Sequence, residues 1–128
     1  MRVITICGSL RFQEEMMKVA QEMVLKGDCI LTPTYKILKD MEPTYNQLTK
    51  ITEAHFKRIE LSDAILVLNI NNYIGVNTIL EIEYAKKLGK EILYYTELIK
   101  DNTILTNDTK NGFDKKKDVK ILKRINNE

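Results

Sequence analysis

No apolar run in these 128 residues approaches the roughly 18 needed to cross a bilayer. Cysteine is scarce. Cys7 and Cys29 sit in apolar runs with no metal-ligand spacing around them, which fits reduced, buried thiols in a cytosolic protein better than a disulfide framework. The chain has neither the dinucleotide-binding fingerprint nor a P-loop, and no internal repeat, low-complexity stretch or linker to a second domain. It also lacks a basic body. Residues 111–128 hold six Lys/Arg against three Asp/Glu, leaving 14 basic and 15 acidic side chains for the other 110 residues. A nucleic-acid-binding domain needs a basic face of its own. The basic tail is therefore expected to be a solvated C-terminal segment, in which Val119, Leu122 and Ile125 could form a short amphipathic turn. The opening "MRVITIC" meets Arg11, Glu14 and Glu15 too soon for a secretory signal. These absences lead to the expectation of a soluble, cytoplasmic, single-domain protein with no membrane or nucleic-acid-polymer partner.

What is present alternates. "RVITICGS" is a β-branched apolar run closed by glycine and serine, the profile of a buried parallel strand. Phe12, Met16, Val19, Ala20, Met23 and Val24 then recur at helical spacing up to Gly27. "CILTP" predicts a short second strand, and residues 34–46 a loop without clean period. A helix is expected over 45–61, with Leu48, Ile51, His55 and Ile59 on one stripe, and Asp63 at the junction with the next strand. "DAILVLNI" is the central buried strand. After the loop "NNYIGVN", a helix is expected over 78–89, ended by Gly89, then a strand "EILYYTE" and a fifth near 102–105. This β-α-β-α-β-α-β order predicts an α/β fold: a three-layer, doubly wound parallel sheet of four to five strands, flavodoxin-like, over residues 1–110.

In such sheets ligands bind outside the carboxyl ends of the strands, near the switch point. "CGSLRF", the 34–46 loop and "NNYIGVN" meet there. Gly8 lets the backbone turn, Ser9 can cap a helix, and Arg11 brings a fixed charge. Free amides at a helix start attract anions, so a phosphate cradle is one reading. A cap beside a surface arginine is the other. Glu81 also has two readings. Thr78 and Glu81 have capping-box spacing, T-x-x-E. Equally, a first-turn carboxylate behind Gly75 and three asparagines (Asn71, Asn72, Asn77) would point into the cleft. Glu83 lies about 200° further round the helix and is expected in solvent. His55, the only histidine, is either a satisfied core residue or a group approaching the cleft. Tyr73 and Tyr84 line a base-binding wall or simply pack. Asn69 closes the central strand at the same edge.

"ITICGSLRF", "HFKRIELSDAILVLN" and "YIGVNTILEIEYAKKLGKEILYY" resemble, in order and spacing, the nucleoside 2-deoxyribosyltransferase-like superfamily. The group approached most nearly is its small bacterial and phage members. The resemblance covers about residues 2–97. It implies chemistry on the N-glycosidic bond of a nucleoside or deoxynucleotide, with Glu81 as nucleophile. "CGS-x-R" is similar to the branch acting on deoxynucleoside monophosphates, which implicates Gly8, Ser9 and Arg11 at sugar and phosphate. Asn69, Tyr73, Gly75 and Thr78 are the further substrate contacts expected. Where the family's transferases carry an aspartate before the central strand, this chain has His55, a candidate to protonate the leaving base. The position of a second family acid falls near Gly75, and Asn77 replaces a common glycine. A homodimer or larger homo-oligomer is implied, and no metal or redox cofactor. The alternative is a non-catalytic nucleotide-binding or sensing module on the same fold. A flavin site is disfavoured, because the first loop lacks the run of hydroxyls that wraps a flavin phosphate.

Overall fold

Two strands with almost no polar side chains make the middle of the sheet. In the computed structural model, which describes residues 1–36 and 42–105, these are β1 (Val3–Cys7) and β3 (Ala64–Val67). They pair in parallel from Ile4↔Ala64 to Cys7↔Val67. Edge strands β2 (Cys29–Leu31) and β4 (Glu91–Tyr94) complete a four-stranded parallel sheet ordered β2-β1-β3-β4. The continuous runs "VITIC" and "AILV" suit strands covered on both faces. The two edge strands are only partly buried.

Helices cover both faces. α1 (Gln13–Leu25) follows β1, α2 (Tyr45–Leu61) follows β2, α3 (Val76–Lys87) follows β3, and α4 (Tyr95–Lys100) follows β4. Strand alternation sorts the core into two layers. Ile4, Ile6, Ala64 and Leu66 face Met16, Val19 and Met23 of α1 and Tyr95 of α4. Cys7, Ile65 and Val67 face Ile59 of α2 and Ile82 and Ala85 of α3. The expected three-layer flavodoxin-like fold is what forms, with its switch point between β1 and β3.

The boundaries of α2 match the spacing, and Thr44 and Gln47 close a capping box at its start. Gly27 ends α1 at φ +108°, a conformation glycine adopts without steric cost. Asp63 lies at the expected junction, and its carboxylate accepts from the Val3 amide at 2.8 Å. The fully buried Thr5 joins the last turn of α2 to the sheet, donating to the Arg58 carbonyl at 3.0 Å and meeting Ser62 Oγ at 2.5 Å.

Three expectations are corrected. α3 starts at Val76, not 78, with Gly75 as its N-cap and no side-chain capping bond. Thr78 and Glu81 are thus inside the helix, and the capping box assigned to them does not form. β4 stops at Tyr94, because the Asn69 carboxamide accepts from the Thr96 amide at 3.1 Å and starts α4 from outside the helix. Residues 102–105 form no strand. Asn102 at φ 57° closes α4 in a Schellman arrangement, with the Thr103 amide on the Leu98 carbonyl and the Asn102 amide on that of Ile99. Ile104 is buried in the core all the same. The tail over 111–128, with Val119, Leu122 and Ile125, lies outside the described residues.

Candidate active site

β1 ends on Cys7, which faces the α2–α3 layer, and Gly8 turns the chain away. A Cβ on Gly8 would lie 3.1 Å from Met16 Cε and 3.2 Å from Leu68 Cβ, so close packing as much as turning calls for glycine. In front of this edge lies a cavity of about 500 Å³ between the Gly8–Leu10 turn, α2 and the first turns of α3. Glu81, from α3, and His55, from α2, both reach it.

His55 Nε2 lies 3.0 Å from Glu81 Oε1, with their side chains 10% and 12% exposed. On the other side of the ring, Nδ1 lies 3.5 Å from Arg58 Nη1. A guanidinium can only donate, so in a neutral ring this contact pairs with a lone pair on Nδ1 and a proton on Nε2 directed at Glu81, and in a protonated ring Nε2–H and the carboxylate form an ion pair. Arg58 is itself held by Thr34 Oγ1 at 3.1 Å. Cys7 Sγ lies 3.5 Å from the same Nε2. Burial pushes the Cys7 thiol well above its ordinary range, and the Glu81 carboxylate adds to this through its charge and by accepting the S–H. A sulfur, an imidazole nitrogen and a carboxylate oxygen therefore lie within 4.8 Å of one another, a donor set of the kind that holds metals.

The remaining expected residues divide. Gly8, Ser9, Tyr73, Gly75 and Thr78 line the cavity. Thr78 is buried, whereas a Cβ on Gly75 would meet only ordinary contacts with Tyr73. Ser9 accepts from the Arg11 amide at 3.3 Å, capping a 3-10 turn at Leu10–Phe12 instead of α1. The amides of the long helix begin a turn later, at Gln13, so those nearest Ser9 belong to the 3-10 turn that leads into it. Arg11 stands outside the lining, its guanidinium 4.2 Å above the Tyr73 ring. Asn69 is not brought to the cavity, because both ends of its amide are taken by Thr96. Tyr84 packs edge-on against Phe56 and bonds Glu60. Of the apolar stripe on α2, Ile59 and His55 are buried, while Leu48 and Ile51 stay exposed at the cavity rim.

Sequence reasoning passed over Cys7 and Arg58. Alternation along β1 was the available signal for Cys7, since it puts that side chain on the α2–α3 face. Arg58 is one helical turn after His55, a spacing that brings side chains together.

Fold and site together define a flavodoxin-like α/β protein with a carboxylate–imidazole pair in its switch-point cavity. No family model matches the chain, and no curated protein matches it. A solved structure of a conserved protein from Enterococcus faecalis V583 is similar to it, at 19% identity and a TM-score of 0.55. The match covers 73% of this chain and 62% of that one. At that identity the likeness shows the fold alone.

Proposed function

We propose that the chain cleaves or transfers the N-glycosidic bond of a (deoxy)nucleoside or nucleoside 5′-monophosphate, with Glu81 as nucleophile. The observation that carries this is the Glu81 carboxylate: it faces a cavity at the switch point and is held by His55, not by its own helix start. C1′–N cleavage passes through an oxocarbenium-like state, which an adjacent carboxylate stabilises. The oxygen not held by His55 forms the bond to C1′ as the C1′–N bond breaks. The electron pair leaves with the base, which takes a proton from water. Attack at C1′ by the resulting hydroxide then frees Glu81, so that one water is consumed. Attack by a second base gives transfer instead.

His55 Nε2 is turned to Glu81 at 3.0 Å, which supports a part for His55 in positioning the carboxylate, beside that of proton donor to the leaving base. The phosphate of a monophosphate would meet Arg11, beside Tyr73 at the rim. The exposed Leu48, Ile51, Val76 and Leu80 around the opening offer an apolar surface to a second copy of the chain. The free thiols suit a cytoplasmic location.

The test is incubation with a panel of deoxynucleosides and their monophosphates, with chromatography for free base. Wild-type protein is expected to release base and Glu81→Gln to fall to background. Release that persists in the variant removes Glu81 from the mechanism. The second reading, a nucleotide-binding module without turnover, is favoured by the engagement of Glu81 within the protein. Calorimetry showing binding without turnover, unchanged in Glu81→Gln, would establish it.

A further inference from the structure

We propose that Cys7, His55 and Glu81 form a binding site for a divalent transition-metal cation of the zinc class, with a fourth coordination position open to the cavity. The three side chains come from different elements, β1, α2 and α3, and all are largely buried. For a tetrahedral zinc ion with ordinary bond lengths, the sulfur–nitrogen edge is about 3.5 Å and the nitrogen–oxygen edge about 3.4 Å. The chain holds Cys7 Sγ and His55 Nε2 at 3.5 Å, and Nε2 and Glu81 Oε1 at 3.0 Å. All three atoms lie within 4.8 Å of one another, and the matching sulfur–oxygen edge of the tetrahedral ion is about 3.6 Å. Thiolate, imidazole and carboxylate together suit zinc or cobalt, whereas magnesium and calcium prefer oxygen alone.

Binding rearranges protons in a defined way. The thiol gives its proton to solvent, Nε2 turns its lone pair to the metal, and the imidazole proton moves to Nδ1. That nitrogen then needs an acceptor, and Arg58, now 3.5 Å away, cannot be one. Arg58 therefore opposes the metal, through its charge and through its donors. A bound cation also takes the Glu81 carboxylate away from any sugar, so the metal inhibits the activity proposed above. The binding itself does not depend on that activity.

The experiment is a titration of the full chain with Co²⁺, followed by absorption. The expected spectrum has a thiolate-to-cobalt charge-transfer band in the near ultraviolet and the strong visible bands of a tetrahedral ion. Added Zn²⁺ should remove both. Cys7→Ser is expected to lose the near-ultraviolet band and to weaken binding at least tenfold, while Cys29→Ser keeps the wild-type spectrum. Arg58→Gln, whose amide oxygen can accept from Nδ1–H, should tighten binding several-fold. It also serves as the readout if Cys7→Ser does not fold. A wild-type spectrum with no charge-transfer band overturns the proposal. So does a band that survives in Cys7→Ser, or an Arg58→Gln variant that binds no tighter.

Discussion

The ring of His55 lies between Arg58 and Glu81, with Nδ1 3.5 Å from the guanidinium and Nε2 3.0 Å from the carboxylate. The order guanidinium, ring, carboxylate makes the imidazole a relay of orientation: Arg58 faces Nδ1, and Nε2 faces the Glu81 oxygen. Removing the ring should leave a poorly solvated carboxylate without its donor. His55→Ala is expected to cost about 1–3 kcal/mol, read from urea midpoints. In a cycle with Glu81→Ala, the two losses should be non-additive by about 0.5 kcal/mol or more. Strict additivity would mean that the contact carries no energy.

The buried hydroxyl of Thr5 ties the last turn of α2 to the middle strand. Thr5→Val keeps the shape and removes the bonds to Arg58 and Ser62. A loss of about 1–2 kcal/mol is expected from the hydroxyls left behind, measured by denaturant unfolding. Full wild-type stability would show that the hydroxyl does not help to seat α2.

At the other end of α2 the capping box is reciprocal. The Thr44 amide donates to Gln47 Oε1 at 2.8 Å, and the Gln47 amide donates to Thr44 Oγ1 at 3.2 Å. Thr44→Ala is expected to cost about 1 kcal/mol. The amides of Gln47 and Leu48 should exchange faster with deuterium, while those beyond His55 keep their wild-type rates.

On the outer surface, Tyr84 donates to Glu60 Oε1 at 2.5 Å. The bond from Tyr84, with a second from Lys57, lowers the Glu60 carboxyl, and the same bond to Glu60, ahead of desolvation, raises the Tyr84 phenol. The carboxylate's contribution is complete above its ordinary value of about 4.3 and fades as pH falls through the lowered one. The phenol's contribution is complete below about 10 and fades as pH rises through the raised one. Tyr84→Phe should therefore differ most from wild type between those limits. The gap in urea midpoint should close in strong acid and in strong alkali, whereas a pH-independent gap would assign the effect to packing.

Much of the architecture was legible because it rests on local signals. The β-branched "VITIC" and the apolar "AILV" read as buried strands, and Gly27 marks a helix end by its own chemistry. The misread boundaries depend on distant partners. Asn69 starts α4 by bonding Thr96 across 27 residues, and no window around "EILYYTE" contains that information. Thr78 and Glu81 have the spacing of a cap, but Gly75 opens the helix earlier and leaves the carboxylate to His55. Glu81 and His55 could be named as candidates from the sequence. Their contact, and the presence of Cys7 and Arg58 beside them, required the helices to be placed in three dimensions.

Every residue of α2 from Tyr45 to Ala54 is exposed, and the helix buries only His55 and Ile59. Among the described residues the cavity is therefore asymmetric: its floor is packed into the sheet, while the opposite rampart is exposed over its first ten residues. Guests of different girth would be accommodated by leaning that rampart in or out, with the pivot at the imidazole where the helix first touches the body of the protein.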